Sequence, residues 1–144
     1  MNLNKNVKGL HHIGIVVEDV SKAVNDYSNW FNAMKIGEVF TDENQKVIVQ
    51  FISLFGIRIE LIQPLDKTSP VHNFLENNGG GLYHPAFEVI NLDLALDDIR
   101  KSGGLIISKT KDGWNGMDVA FTYMAGSTNL LIEFVQNQNN GETV

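Results

Sequence analysis

Residues 10–17, LHHIGIVV, mix β-branched and polar residues on the two-residue period of a strand. His12, Gly14 and Val16 therefore fall on one face of a strand, and Ile13, Ile15 and Val17 on the other. The period then changes. Val20, Ala23, Val24, Tyr27 and Phe31 recur at the spacing of an amphipathic helix, which Asp19 or Ser21 can cap. Gly37 reads as a break, residues 38–41 as a short strand, and Asp42-Glu43-Asn44 as a turn. Residues 46–54, rich in Val, Ile and Phe, read as a strand, and Gly56 turns it into another over 57–63. The pattern predicts a strand, a helix, then three strands.

Residues 64–70 form a connector, and its TSP followed by VHNFLEN predicts a short capped helix. Asn78-Gly79-Gly80-Gly81 reads as a flexible joint. The order then repeats. LYHPAFEV at 82–89 is a strand, and Leu92, Ala95, Leu96 and Ile99 mark a helix that stops at Gly103-Gly104. Residues 105–108 are a short strand, and 109–116 a polar loop containing Trp114. Residues 117–124 and 130–136 are the closing hairpin, with Gly126 in its turn, and the polar tail 137–144 is expected to fray.

The repeat is visible in the residues themselves. His84 follows His12 by 84 − 12 = 72 positions, and the same offset sets Val89 over Val17, Leu92 over Val20, Ala95 over Ala23 and Asp98 over Asp26. Ile59-Glu60-Leu61-Ile62-Gln63 matches Ile132-Glu133-Phe134-Val135-Gln136 at an offset of 73. Two copies are too few for a solenoid and suit a pseudo-symmetric pair sharing one site. At 144 residues the chain reads as one compact domain, with modules at about 8–66 and 80–137 and a connector at 67–79.

Composition narrows the function classes. The net charge of −6 argues against nucleic acid or an anionic membrane as the main partner, but leaves room for an anionic small molecule held by a few local cations. The chain lacks cysteine, which removes disulfides and thiol chemistry. The first nine residues, MNLNKNVKG, are polar, and no apolar run reaches membrane-spanning length, so the protein is expected in the cytoplasm.

The candidate chemistry follows from the faces. Ile13 and Ile15 flank His12 in alternation, as Pro85 and Phe87 flank His84, Ile59 and Leu61 flank Glu60, and Ile132 and Phe134 flank Glu133. The apolar flanks should meet the helices, which turns His12, Glu60, His84 and Glu133 the opposite way. A lone strand histidine or glutamate ordinarily packs or is solvated; recurrence at matching positions of two modules favours a divalent metal site. Two imidazoles and two carboxylates suit an octahedral Zn²⁺, Co²⁺, Ni²⁺ or Mn²⁺ with two positions open for substrate. Gly14 and Ala86, two residues beyond each histidine, leave room for a ligand. Arg58, on the strand face of Glu60, is a candidate for an anionic substrate or for pairing with a carboxylate, and Trp114 for a lid or for loop packing; His11 reads as structural and His72 as solvated.

With these residues in place, the sequence resembles the vicinal oxygen chelate (glyoxalase/bleomycin resistance/dioxygenase) superfamily over about 10–136. It looks most like the methylmalonyl-CoA epimerase branch, with glyoxalase I more distant. The matching words are HHIGIVVED, QKVIVQF, IELIQPL, SPVHNFL, GGGLYHPAFEV and LIEFVQ. The resemblance implies an α+β fold of two tandem βαβββ modules pairing into one open barrel around a metal site. It places His12, Glu60, His84 and Glu133 on the metal-ligand positions. It implies a metal-dependent epimerase that removes a proton next to the carbonyl of an acyl thioester, and a homodimer. Among this chain's own residues, Glu133 or Glu60 is the candidate base, and Trp114 and Asn115 join Arg58 as candidates near the substrate. A glyoxalase I-type isomerase and a non-catalytic small-molecule binder are the alternatives. Where the epimerases carry G-x-H-G-K this chain reads Gly113-Trp114-Asn115-Gly116-Met117; where they carry H-P-K it reads Tyr123-Met124-Ala125; and Val49 stands at the position of the acidic residue proposed as a base in some epimerases.

Overall fold

The computed structural model describes residues 3–138 apart from 125, 127 and 128. Of the tail at 137–144, expected to fray, residues 139–144 lie outside the described residues. The described elements run α1 (Leu3–Asn6), β1 (Val7–Val16), α2 (Val20–Phe31), β2 (Met34–Asp42), β3 (Val47–Leu54), β4 (Ile57–Pro64), α3 (His72–Asn78), β5 (Gly81–Val89), α4 (Leu92–Lys101), β6 (Leu105–Thr110), β7 (Asp118–Met124) and β8 (Leu130–Gln136). No helix among the described residues is long and apolar enough to cross a membrane. The chain divides into two compact units, one of His12–Tyr83 and one that joins Met1–His11 to His84–Val144.

In the His12–Tyr83 unit the strands lie in the order β2-β3-β4-β1. β1 runs parallel to β4, whereas β4, β3 and β2 are antiparallel neighbours. One face carries α2: Val20, Ala23, Ile52, Ile59 and Leu61 form its buried core, with Ile13, Ile15, Val24 and Tyr27 packed around them. This is the apolar side that alternation assigned. Asp19 caps α2 by accepting from Lys22 N at 3.0 Å, and Gln63 Oε1 accepts from Val20 N at 3.0 Å. A two-residue turn with Phe55 at φ 51° and Gly56 at φ 81° joins β3 to β4 and matches the strand twist.

Three sequence expectations change in this unit. Gly37 does not break the chain; it opens a bulge inside one long strand, β2, where Gly37, Glu38 and Val39 stand against Gln50 alone. The buried Gln50 amide fills the gap, donating from Nε2 to Gly37 O at 3.1 Å and Phe51 O at 2.8 Å. α3 forms, but its first residue follows Val71, which has no side-chain oxygen, and Ser69 instead accepts from Val71 N at 3.4 Å. The glycine run is a defined turn. Gly79 caps α3 in the left-handed region, and an added Cβ at Gly80 (φ 98°) would lie 2.7 Å from the Val16 carbonyl oxygen. Gly80→Ala is therefore expected to destabilise the fold by roughly 2 kcal/mol, read as a lowered melting temperature, because neither its φ nor its neighbour can yield cheaply.

The second unit repeats the plan in the order β5-β8-β7-β6, with β5 parallel to β8 and the remaining neighbours antiparallel. Val89, Leu92, Ala95, Leu96, Ile99, Ala120 and Phe134 make the core under α4. Asn91 takes the place of Asp19, accepting from Leu94 N at 3.0 Å, and Gln136 takes that of Gln63, accepting from Leu92 N at 2.7 Å. The N-terminal segment is stitched to this unit. Asn6 exchanges two side-chain hydrogen bonds with the Asn91 backbone, and Lys8 meets the buried Glu88 at 3.1 Å. β6 extends to Thr110, two residues past the expected end.

Candidate functional site

Parallel pairing sets the geometry of each half. In the His12–Tyr83 unit Gly14 of β1 lies opposite Glu60 of β4, so His12 stands two residues before that point on the same face. Because Gly14 has no side chain, the carboxylate can lean toward the imidazole. His12 Nε2 lies 3.3 Å from Glu60 Oε2. In the second unit Ala86 lies opposite Glu133, and His84 Nε2 lies 2.8 Å from Glu133 Oε2. Small residue, imidazole and carboxylate thus recur in the same relation.

Both histidines are 2% exposed and Glu133 6%, while the Glu60 side chain is 16% exposed. Groups of this polarity are kept from water only when paired or bound to an ion. Two donor atoms about 2.1 Å from one divalent ion, in neighbouring octahedral positions, are about 3 Å apart. Each His–Glu pair has that separation, so each fits as half of an N,O ligand set.

A phenylalanine completes each half. Phe51 faces Glu60 across β3 and β4, and its ring meets His12 edge to face with centroids 5.5 Å apart. Phe121 faces Glu133 across β7 and β8 and meets His84 in the same way at 5.1 Å. These rings escape a search at fixed offset. Their separation is 121 − 51 = 70, whereas the glutamates are 133 − 60 = 73 apart, because the β7–β8 turn is three residues longer than the β3–β4 turn. Reading the repeat hairpin by hairpin would have found them. Gln63 and Gln136 lay inside the matched words, but their service to the helix N-termini did not show in the pattern.

The remaining candidates are placed as follows. Arg58 is half-buried on β4, two residues before Glu60 and opposite Ser53. Trp114, half-buried, and Asn115, exposed at φ 56°, lie in a 3-10 turn closed by Gly113 N donating to Met117 O at 2.7 Å. Val49 is buried on β3 opposite Ile62. His11 is buried, and His72 is half-buried with its Nε2 4.0 Å from Glu76 rather than fully solvated.

The family model described as the glyoxalase/bleomycin resistance protein/dioxygenase superfamily matches residues 11–143. The chain belongs to this superfamily. It is 32% identical over 133 residues to the mitochondrial methylmalonyl-CoA epimerase of Bos taurus, covering 91% of this chain and 75% of that one. It is equally 32% identical to the ethylmalonyl-CoA/methylmalonyl-CoA epimerase of Cereibacter sphaeroides, covering 88% of this chain and 96% of the relative. Among solved structures, the methylmalonyl-CoA epimerase of Mycobacterium tuberculosis superposes with a TM-score of 0.81 at 25% identity, over 90% of this chain and 88% of that one. The fold is the α+β glyoxalase fold expected from the two βαβββ modules.

Proposed function

We propose that this protein is a metal-dependent epimerase of the superfamily that inverts the carbon next to the carbonyl of an acyl-CoA thioester. The observation that carries the reading is the twofold His–Glu pair, built on matching parallel strands in both units. The names of the 32% identical relatives supply the substrate class. His12, Glu60, His84 and Glu133 would together hold one divalent ion of the Zn²⁺, Co²⁺, Ni²⁺ or Mn²⁺ kind. Such an ion supplies Lewis-acid stabilisation of the negative charge that develops when the α-proton leaves.

The chain's own groups do the rest. The Glu133 carboxylate takes the α-proton, and the Glu60 carboxylate is its counterpart for return on the opposite face. His84 and His12 would hold the ion beside these carboxylates, with Nε2–Oε2 separations of 2.8 and 3.3 Å. The aliphatic Val49 offers no proton acceptor on β3. Arg58, Trp114 and Asn115 are assigned to the substrate's remaining groups, and the resemblance supports a homodimer.

One observation favours a second reading. Glu60 gives the set two carboxylates, as in glyoxalase I-type isomerases of a thiol hemithioacetal. A single experiment separates the two. Protein loaded with zinc or cobalt is incubated in D₂O with methylmalonyl-CoA or with a glutathione hemithioacetal. The proposal expects deuterium at the α-carbon of the acyl-CoA and no turnover of the hemithioacetal. The reverse result establishes the isomerase, and no reaction with either overturns both.

A further inference from the structure

We propose that Phe51 and Phe121 are positioning residues that fix the ring planes of His12 and His84, an inference that rests on the metal-centre reading above. In the first unit β4 lies between β3 and β1, so the ring of Phe51 and the imidazole of His12 approach each other over the strand that carries Glu60. Their planes are 85° apart. In the second unit β8 lies between β7 and β5, and Phe121 and His84 meet over the strand of Glu133 with planes 84° apart.

The chemistry requires such a constraint. The terminal torsion of histidine is broad and roughly two-fold, so the strand sets where the imidazole begins but not how the ring is turned. A ring turned away takes Nε2 from the carboxylate with which it must act. A phenyl group held edge to face blocks that turn, because rotation replaces a favourable quadrupole contact with overlap. Each phenyl is itself fixed by the antiparallel register that sets it directly opposite the glutamate. Phe40 adds a second layer in the first unit, stacked on Phe51 at 6.4 Å with planes 17° apart.

Ordinary core packing is the rival explanation, and the position of the rings weighs against it. Neither Phe51 nor Phe121 belongs to the apolar clusters beneath α2 and α4. The helix side is served by other residues, such as Phe134, whose ring packs with Phe87 at 6.3 Å. Phe134 neighbours Glu133 in sequence but points to the opposite face, which makes it the control.

The test compares Phe51→Leu, Phe121→Leu and Phe134→Leu in the full chain. Imidazole ¹H–¹⁵N correlations are recorded on metal-free protein, and zinc affinity is measured by competition with a chelating dye. Phe121→Leu is expected to broaden or split the His84 resonances alone, and Phe51→Leu those of His12 alone. Each should weaken zinc binding about tenfold, the scale of losses from groups that orient a metal ligand. Phe134→Leu should lower the melting temperature while leaving both readouts at wild-type values. Imidazole resonances that stay single and sharp in the first two variants, shifted only by loss of the phenyl ring current, overturn the positioning role. Absence of zinc binding by the wild type overturns the metal reading instead, since the resonances report on the rings without metal. If Phe51→Leu does not fold, the half-buried Phe121 carries the test.

Discussion

Glu133→Gln is expected to reduce turnover of the acyl-CoA by about 10²–10⁴-fold while substrate affinity stays within a few-fold of wild type. The amide keeps the shape of the side chain, and its carbonyl oxygen can still stand beside His84 Nε2, which lies 2.8 Å from a Glu133 carboxylate oxygen in the wild type. It cannot accept a proton from carbon. At 6% exposed, Glu133 leaves little room for water to replace it as base. The loss should therefore fall on kcat rather than on binding. Measuring kcat, substrate Kd and α-deuterium incorporation in zinc-loaded protein decides the matter, and wild-type turnover in the variant excludes Glu133 as the base. Glu60→Gln, at a more exposed position, should slow return of the proton more than its removal.

The second large effect concerns the metal. Wild-type protein dialysed without chelator is expected to carry about one divalent ion per chain, and His84→Ala should carry essentially none. The substitution takes one nitrogen from the ligand set and leaves the buried Glu133 carboxylate facing a void, so metal-free His84→Ala should also be less stable by roughly 1–3 kcal/mol. Elemental analysis beside thermal unfolding of metal-free protein separates these effects. Full metal content in the variant overturns the role of His84 as a ligand. A melting temperature unchanged in its absence overturns the structural part alone.

What was legible in the sequence is what local periodicity and an internal repeat encode. Two-residue alternation at 10–17 and 82–89 fixed which side of each strand meets a helix, and the cores under α2 and α4 form on that side. The 3.6-residue stripes and the cap Asp19 bounded the first helix, since capping is decided within one turn, whereas the matching cap Asn91 emerged only in the structure. The repeat picked out His12, Glu60, His84 and Glu133 because a polar residue kept at matching places in two apolar strands is hard to explain by packing.

Tertiary structure decided the rest. Gly37 opens a bulge because Gln50, a distant residue in sequence, satisfies the backbone groups that the ladder leaves unmatched. Gly80 is required by the carbonyl of Val16, 64 positions earlier (80 − 16), which no local pattern reveals. The pairing of Gly14 with Glu60 and of Ala86 with Glu133 brings each carboxylate to its imidazole, and parallel register is set by the whole sheet rather than by either strand. Phe51 and Phe121 became visible only through their partners, because hairpins of unequal length displace them from any single offset. Sequence determines which face a side chain takes, a property of consecutive residues. Distance between side chains on different strands depends on register, turn length and packing, and those are settled only when the chain is folded.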